Sequence, residues 1–218
     1  MKPLTVRRDY HPEALSRFNS DTAEHEMEIL LDQGLYRHVR FTKPGTGFYY
    51  FDLITWPGNL TIRADMGTYT YSRTEDMFDF FADGTAGRSG YINAGYWGEK
   101  LQAVGTNAGY RDHQEDLFKK YVLEHFWERR EHYSTEDARE IWEAIRNDIL
   151  DDYDYRGSRE ACLGLVHNFR VKGYEFIDPW DCSWDDYTFH YLWCCHAILS
   201  GIQHYNEAKA AADGEAAG

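Results

Sequence analysis

The sequence is poor in several residue types, and each shortage limits what the chain can be. Its 218 residues include only four cysteines and five prolines. No run approaches ~18 apolar residues, so no transmembrane helix is predicted. The first fifteen residues, MKPLTVRRDYHPEAL, lack the apolar core of a signal peptide. The cysteines all lie in the last third of the chain, which predicts free buried thiols rather than a disulfide framework; they are Cys162, Cys182, Cys194 and Cys195.

Basic residues are also scarce. Twenty-three Lys and Arg stand against 37 Asp and Glu, which gives a formal net charge of −14. Proteins that bind nucleic acid neutralise phosphates with Lys and Arg, and anionic membranes attract the same side chains. The charge balance therefore disfavours direct nucleic-acid binding and membrane adsorption. It favours a protein partner with a basic surface.

The signature motifs of several large enzyme classes are missing as well. The sequence contains no G-x-S-x-G, no GKS or GKT loop, no H-E-x-x-H and no G-x-G-x-x-G. These motifs mark a nucleophile elbow, a phosphate loop, a zinc protease site and a dinucleotide fold. We therefore predict no cofactor, and the missing motifs favour a binding protein over an enzyme without deciding between the two.

Aromatic side chains are abundant, with 17 Tyr, 12 Phe and 7 Trp. Disordered chains are poor in aromatic residues, so the bulk of this chain is predicted to fold. The clearest folding signal spans residues 35–73, where four β-rich runs are separated by KPGTG, PGN and DMG. Each separator holds the Gly or Pro that a tight reversal needs. This pattern predicts an antiparallel four-strand meander near the N-terminus.

Helices are predicted on both sides of the meander. Pro12 suits the first turn of a helix and Gly34 suits the position just past its end, which predicts one helix over residues 12–33. Beyond residue 112, apolar residues recur at helical spacing behind capping residues such as Ser134 and Ser158. The predicted fold class is α+β, in which the meander packs against several α-helices and the C-terminal half is all helical.

The domain organisation follows from the same pattern. Residues 1–10 are predicted to form a flexible arm, because they precede the first helix signal. Residues 11–206 are predicted to form a single α+β domain, with a soft internal boundary near residues 105–112. Residues 207–218, rich in alanine and glycine, are predicted to form a flexible tail.

An acidic and aromatic stretch at residues 146–187 is the first candidate binding surface. It holds ten acidic and five basic residues, interleaved with Tyr and Trp. Aromatic residues are enriched in interface cores, and excess acid attracts a basic partner. The same pattern also fits a solvated helix end whose aromatic residues turn inward. The predicted partner-binding residues are Asp151, Asp152, Asp154, Tyr155, Asp185 and Asp186.

A glycine-rich loop at residues 84–98 is the second candidate site. Long glycine-rich loops in compact domains are often functional, and their backbone amides suit phosphates. The loop indicates a small-molecule or nucleotide-signal binder as an alternative function. The other interpretation is a loop at the sheet edge with two of its aromatic residues in the core. The predicted ligand-binding residues are Arg88, Tyr91, Tyr96, Trp97 and Lys100.

His190 and Cys194 form the third candidate site. They stand four residues apart, so one helical face would present both to a metal ion. The hypothesis that follows is a metal-dependent enzyme, with the acidic cluster near residue 151 as another source of ligands. The spacing matches no standard zinc pattern, and a helix with buried thiols explains the same residues.

Five segments of the chain resemble a family of uncharacterised proteins from tailed bacteriophages and prophages. The segments are RDYHPEALSRF, FYYFDLITWPGNLTIRADMGTYTYSR, DMFDFF, INAGYWGEKLQA and YTFHYLWCCHAILSGIQHY. The resemblance implies a protein made in the cytoplasm of an infected host, and it brings no catalytic residues with it. Phage accessory proteins frequently counter host immunity, so it also implies an inhibitor of a host defence system. The many aromatic residues are compatible with a homo-oligomer.

Overall fold

A computed structural model of the chain describes residues 1–4, 11–82, 92–106, 109–151 and 158–216. The chain divides into two compact units. Unit 1 comprises Met1–Tyr110 and Tyr187–Gly218, and unit 2 comprises Arg111–Asp186. Because this division does not decide whether the units fold independently, the single domain over residues 11–206 stays a prediction.

Unit 1 is built on one antiparallel sheet of six strands in the order β1-β2-β3-β4-β5-β6. The predicted meander is confirmed as β2–β5, but the predicted number of four strands is wrong because β1 and β6 extend the sheet at its two edges. The strands are β1 Glu26–Gln33, β2 Tyr36–Thr42, β3 Phe51–Trp56, β4 Asn59–Ala64, β5 Gly67–Ser72 and β6 Leu101–Val104.

Strand β1 replaces the second half of the helix that was predicted over residues 12–33. Helix α1, Pro12–Asp21, ends where the Thr22 hydroxyl and backbone N–H both donate to the Phe18 carbonyl, at 2.8 and 3.0 Å. Gly34, with a φ of +66°, lies in the turn between β1 and β2 instead of closing a helix. A left-handed glycine serves either structure, so this residue does not discriminate between them.

Helices cover one face of the sheet. They are α1, α2 Met77–Ala82, α3 Ala94–Gly98 and the 28-residue α7 Phe189–Ala216. Helix α7 contacts β2, β3, β4 and β5 and is almost wholly buried from Tyr191 to Ile202. Residues 207–216 of the predicted tail continue α7. The middle of the covered face is a row of fully buried side chains in register across four strands, namely Val39, Leu53, Ile62 and Tyr69.

Gly201 lets α7 lie directly on the sheet. A Cβ at this position would stand 2.6 Å from Leu53 Cδ1 and 3.1 Å from Phe41 Cε2, closer than real Cβ contacts allow. The neighbouring side chains are themselves fully buried, so they have little room to move. The close approach of helix and sheet therefore depends on the absence of a side chain here.

We expect Gly201→Ala to lower the free energy of unfolding by about 2 kcal/mol, because the added methyl group overpacks the core. Gly164→Ala is the matched control, since it also adds a methyl group to a helical glycine but meets no atom within 4 Å. The control is expected to raise stability by about 0.5–1 kcal/mol through helix propensity. Thermal or urea unfolding of the two variants measures both effects. Equal stability of the two would contradict the packing argument.

Unit 2 is mainly helical. Its helices are α4 Glu115–Arg129, α5 Thr135–Ile145 and α6 Arg159–Asn168. A 3-10 turn at Arg130–His132 follows α4, and a π-helical turn at Arg146–Leu150 follows α5. The predicted caps Ser134 and Ser158 are confirmed, because their hydroxyls accept from the backbone N–H groups of Asp137 and Ala161.

The C-terminal half is helical apart from two short strands. β7 Arg111–His113 and β8 Asp185–Tyr187 form a separate two-stranded sheet. The prediction that this half is all helical is therefore wrong in detail. Among the residues that the structure describes, no helix combines the length and the apolar character that crossing a bilayer requires.

Candidate binding groove

Unit 2 contains an open groove of about 900 Å³. It lies where α4 ends, the 3-10 turn reverses the chain and α5 begins. Its lining is mostly apolar, with charged side chains among the apolar ones. The lining residues are Leu123, Glu124, Phe126, Trp127, Glu128, Arg130, Glu131, Tyr133, Thr135, Ala138, Arg139 and Trp142. We call this site the α4–α5 groove.

Helical spacing explains the order of side chains in the α4–α5 groove. Leu123, Trp127 and Arg130 are separated by four and three residues, so they form one stripe along the end of α4 and the following turn. A second stripe beside it, at the same spacing, is entirely acidic. It consists of Glu124, Glu128 and Glu131. Two large apolar side chains, followed by an arginine, therefore lie next to an acidic stripe.

The apolar side chains of the groove are unusually exposed. Trp127 is 63% exposed and Leu123 is 45% exposed. Behind them, the half-buried rings of Phe126 and Trp142 lie 5.3 Å apart between centroids. Large exposed apolar side chains around a concavity mark an interaction site more often than isolated ones do. This arrangement suits a ligand with its own apolar surface.

The acids of the groove are weakly neutralised. Glu124 and Glu128 have Lys120 and Arg129 as neighbours at 3.8 and 3.9 Å, which are long distances for ion pairs. Glu131 forms no ion pair within the described residues. Unit 2 as a whole contains twenty acidic and eleven basic residues, a net charge of −9 out of −14 for the chain. The surroundings of the groove therefore favour a cationic ligand.

A cation already contacts the most exposed ring of the groove. The Arg130 guanidinium carbon lies 3.2 Å from the centre of the Trp127 ring. Such a contact is a cation–π interaction, and Trp is the aromatic side chain that forms the strongest ones. The geometry demonstrates that the Trp127 face accepts a planar cation.

The partner-binding residues that were predicted from the sequence and that the structure describes belong to other elements of the chain. Asp151 is exposed just after the π-helical turn, and Asp185 and Asp186 are half-buried in β8. Asp152, Asp154 and Tyr155 lie outside the described residues. Their role in binding stays a prediction.

The predicted ligand-binding loop is described only in its last part. Trp97 is fully buried, with its ring at 4.7 Å from that of Phe81. Lys100 lies over the Tyr96 ring at 4.2 Å and forms an ion pair with Glu99 at 3.2 Å. These contacts account for the positions of the three residues without a ligand. Arg88 and Tyr91, the other two predicted ligand-binding residues, lie outside the described residues.

The predicted metal ligands differ in their surroundings. His190 is exposed near the start of α7, whereas Cys194 is fully buried. Burial, together with the neighbouring Cys195, raises the pKa of the Cys194 thiol well above its ordinary value, so the thiolate that binds metals is disfavoured. The described part of the chain contains no group of three or more His, Cys, Asp or Glu side chains placed to hold a metal ion.

Sequence reasoning missed the α4–α5 groove because it followed only the main apolar stripe of α4. Phe118, Val122 and His125 of that stripe are buried in the core of unit 2. Leu123 and Trp127 lie outside this stripe at a spacing of four, and each is followed by a glutamate, which is the signal that would have indicated a second apolar face. A helix that is apolar on two faces needs a second partner.

Comparisons of the chain with protein-family models, with curated proteins and with solved structures found no match.

Proposed function

We propose that the protein acts by binding, and that the α4–α5 groove receives a basic, amphipathic segment of a partner protein. The exposed Trp127 and Leu123, flanked by the acidic stripe, are the observation that carries this proposal. An amphipathic segment places its apolar side chains in such a groove and its polar side chains along the rim. Lys and Arg on that segment would face Glu124, Glu128 and Glu131.

The resemblance to phage accessory proteins supports a particular setting for this binding. We propose that the partner is a host protein with a basic surface that belongs to a defence system. The protein would bind and block this partner in the host cytoplasm. Asp151, Asp152, Asp154, Tyr155, Asp185 and Asp186 are proposed to contribute further contacts to the same partner. Long-range attraction between an acidic unit and a basic partner accelerates capture.

A defined peptide tests the proposal. We expect a fluorescent amphipathic peptide with leucines on one face and lysines and arginines on the other to bind the protein, with an affinity that falls as salt is added. Trp127→Ala is expected to weaken binding about thirtyfold, the loss typical of a central aromatic anchor. Fluorescence anisotropy measures both affinities.

Trp180→Ala is the matched control for this experiment. Trp180 also belongs to unit 2 and is 56% exposed, but it does not line the groove. Binding by this variant is expected to equal that of the unmodified protein. The proposal fails if both tryptophan variants bind alike, or if a peptide with glutamates in place of the basic residues binds as well.

A further inference from the structure

The Arg130 side chain is held in the α4–α5 groove by one described contact. Its guanidinium lies over the Trp127 ring at 3.2 Å, and no hydrogen bond or ion pair of this guanidinium is found among the described residues. The two residues are three apart, so the contact is local and its formation orders little of the chain. Arg130 is therefore free to leave the ring without breaking another interaction.

We infer that Arg130 occupies the place that an arginine of the partner segment takes on the Trp127 ring. This inference rests on the proposed function and names the partner's anchoring residue. In the free protein one face of the ring contacts the chain's own guanidinium, and in the complex a guanidinium from the partner replaces Arg130 on that face. Arg130 thus lowers the affinity of the groove for the partner's arginine by competing for the Trp127 ring.

The chemistry of the site favours arginine over lysine. A guanidinium is planar and weakly hydrated, so it stacks on an indole face at a lower desolvation cost than an ammonium. The acidic stripe offers carboxylates that an arginine fork contacts through two hydrogen bonds, which a lysine cannot do in the same geometry. The groove's own cation on Trp127 is an arginine, which matches this preference.

Competition from Arg130 lowers the apparent affinity of the free groove. A protein that is only partly in its binding-competent state binds its ligand more weakly by that fraction. Exposed cation–π contacts have a strength that corresponds to a factor of about two to five in such an equilibrium. Removal of the Arg130 guanidinium is therefore expected to raise the affinity of the groove for its ligand by this factor.

The chain contains a matched control for charge. Arg139 also lines the α4–α5 groove and is exposed, but no aromatic contact is described for its guanidinium. Arg130→Gln and Arg139→Gln each remove one positive charge from the same groove, so both reduce repulsion of a basic peptide to a similar extent. Only Arg130→Gln also uncovers the Trp127 ring. The difference between the two variants isolates the stacking contact.

The experiment compares two amphipathic peptides of equal length with the same leucines, one with arginines and the other with lysines. We expect the unmodified protein to bind the arginine peptide more tightly. Arg130→Gln should then tighten binding of the arginine peptide about two- to fivefold more than Arg139→Gln does. Circular dichroism confirms that both variants fold.

The outcomes separate this inference from the proposed function. Equal tightening by the two variants, or weaker binding by Arg130→Gln, would overturn the role of Arg130 while leaving peptide capture intact. Equal affinity for the two peptides would overturn the selectivity for arginine. Failure of the unmodified protein to bind either peptide would overturn the proposed function and the inference together.

Discussion

Replacing Asp52 with alanine is expected to lower the free energy of unfolding by about 3 kcal/mol, because it removes the shared partner of two arginine side chains and a histidine ring. Asp52 is the second residue of β3, opposite Arg40 of β2 and Arg63 of β4. It accepts hydrogen bonds from Arg40 at 2.8 and 3.1 Å, and Arg63 and His38 lie 3.2 and 3.4 Å from its carboxylate.

The burial of Asp52 explains the size of this effect. Its side chain is fully buried although it points away from the face that the helices cover. Burial by itself would raise the pKa of Asp52, yet the hydrogen bond and charge of Arg40, with His38 beside it, hold that pKa below its ordinary value. Arg40 and Arg63 are partly exposed and regain some hydration when Asp52 is lost. The expected destabilisation is therefore at the lower end of the range for removing one partner of a buried ion pair.

Two further variants distinguish charge from packing at this position. Asp52→Asn keeps the volume but removes the charge, so a loss similar to that of Asp52→Ala indicates that the charge dominates. Glu28→Ala removes an exposed acid that also faces Arg40, from β1, and is expected to cost less than about 0.5 kcal/mol. Urea unfolding measures all three. A loss for Asp52→Ala no larger than that for Glu28→Ala would refute the buried cluster.

The part of the fold that sequence reasoning recovered is the part governed by local turns. Gly45, Gly58 and Gly67 each have a positive φ, at 78°, 79° and 125°, and each belongs to one of the three separators recognised in the sequence. Such glycines fix a reversal without reference to distant residues. The strands between these glycines could therefore be predicted from the local sequence alone.

The strands that were missed depend on distant pairing or on ambiguous signals. β6, Leu101–Val104, is four residues long and pairs with β5 across a long connection, so nothing local marks it. In β1, the apolar run around Ile29 fits a helix face and an edge strand equally well. Edge strands lack the two covered faces that make central strands recognisable.

The candidate site was harder to predict than the fold because it depends on which side chains remain exposed. The sequence showed that α4 has an apolar stripe, but only the packing of α5 and the turn before it leaves Trp127 and Leu123 without cover. Asp52 illustrates the same limit, since β3 reads as a nearly continuous apolar strand and its one acid gave no sign of the two arginines and the histidine beside it.

His125 by itself is expected to lower the free energy of unfolding by about 3 kcal/mol between pH 6.5 and pH 4. His125 is buried between Tyr174, whose hydroxyl lies 2.7 Å from Nδ1, and Ile177, whose backbone N–H donates to Nε2 at 3.2 Å. Since Nε2 accepts, the neutral ring carries its proton on Nδ1. Burial, and to a lesser extent the charge of Arg129, lower the pKa of His125 to about 4.

The sign of the pH dependence follows from the pH at which the unfolded and the folded state each bind the proton. As pH falls below about 6.5, His125 of the unfolded chain takes up a proton while the buried ring does not, so stability declines. The decline ends near pH 4, where the folded state also takes up the proton and Ile177 loses its acceptor.

Urea unfolding across this range should show a steeper decline for the unmodified protein than for His125→Gln. His132→Gln, at an exposed histidine of the same unit, should retain the full decline. Parallel curves for the unmodified protein and His125→Gln would show that the buried imidazole is not the titrating group.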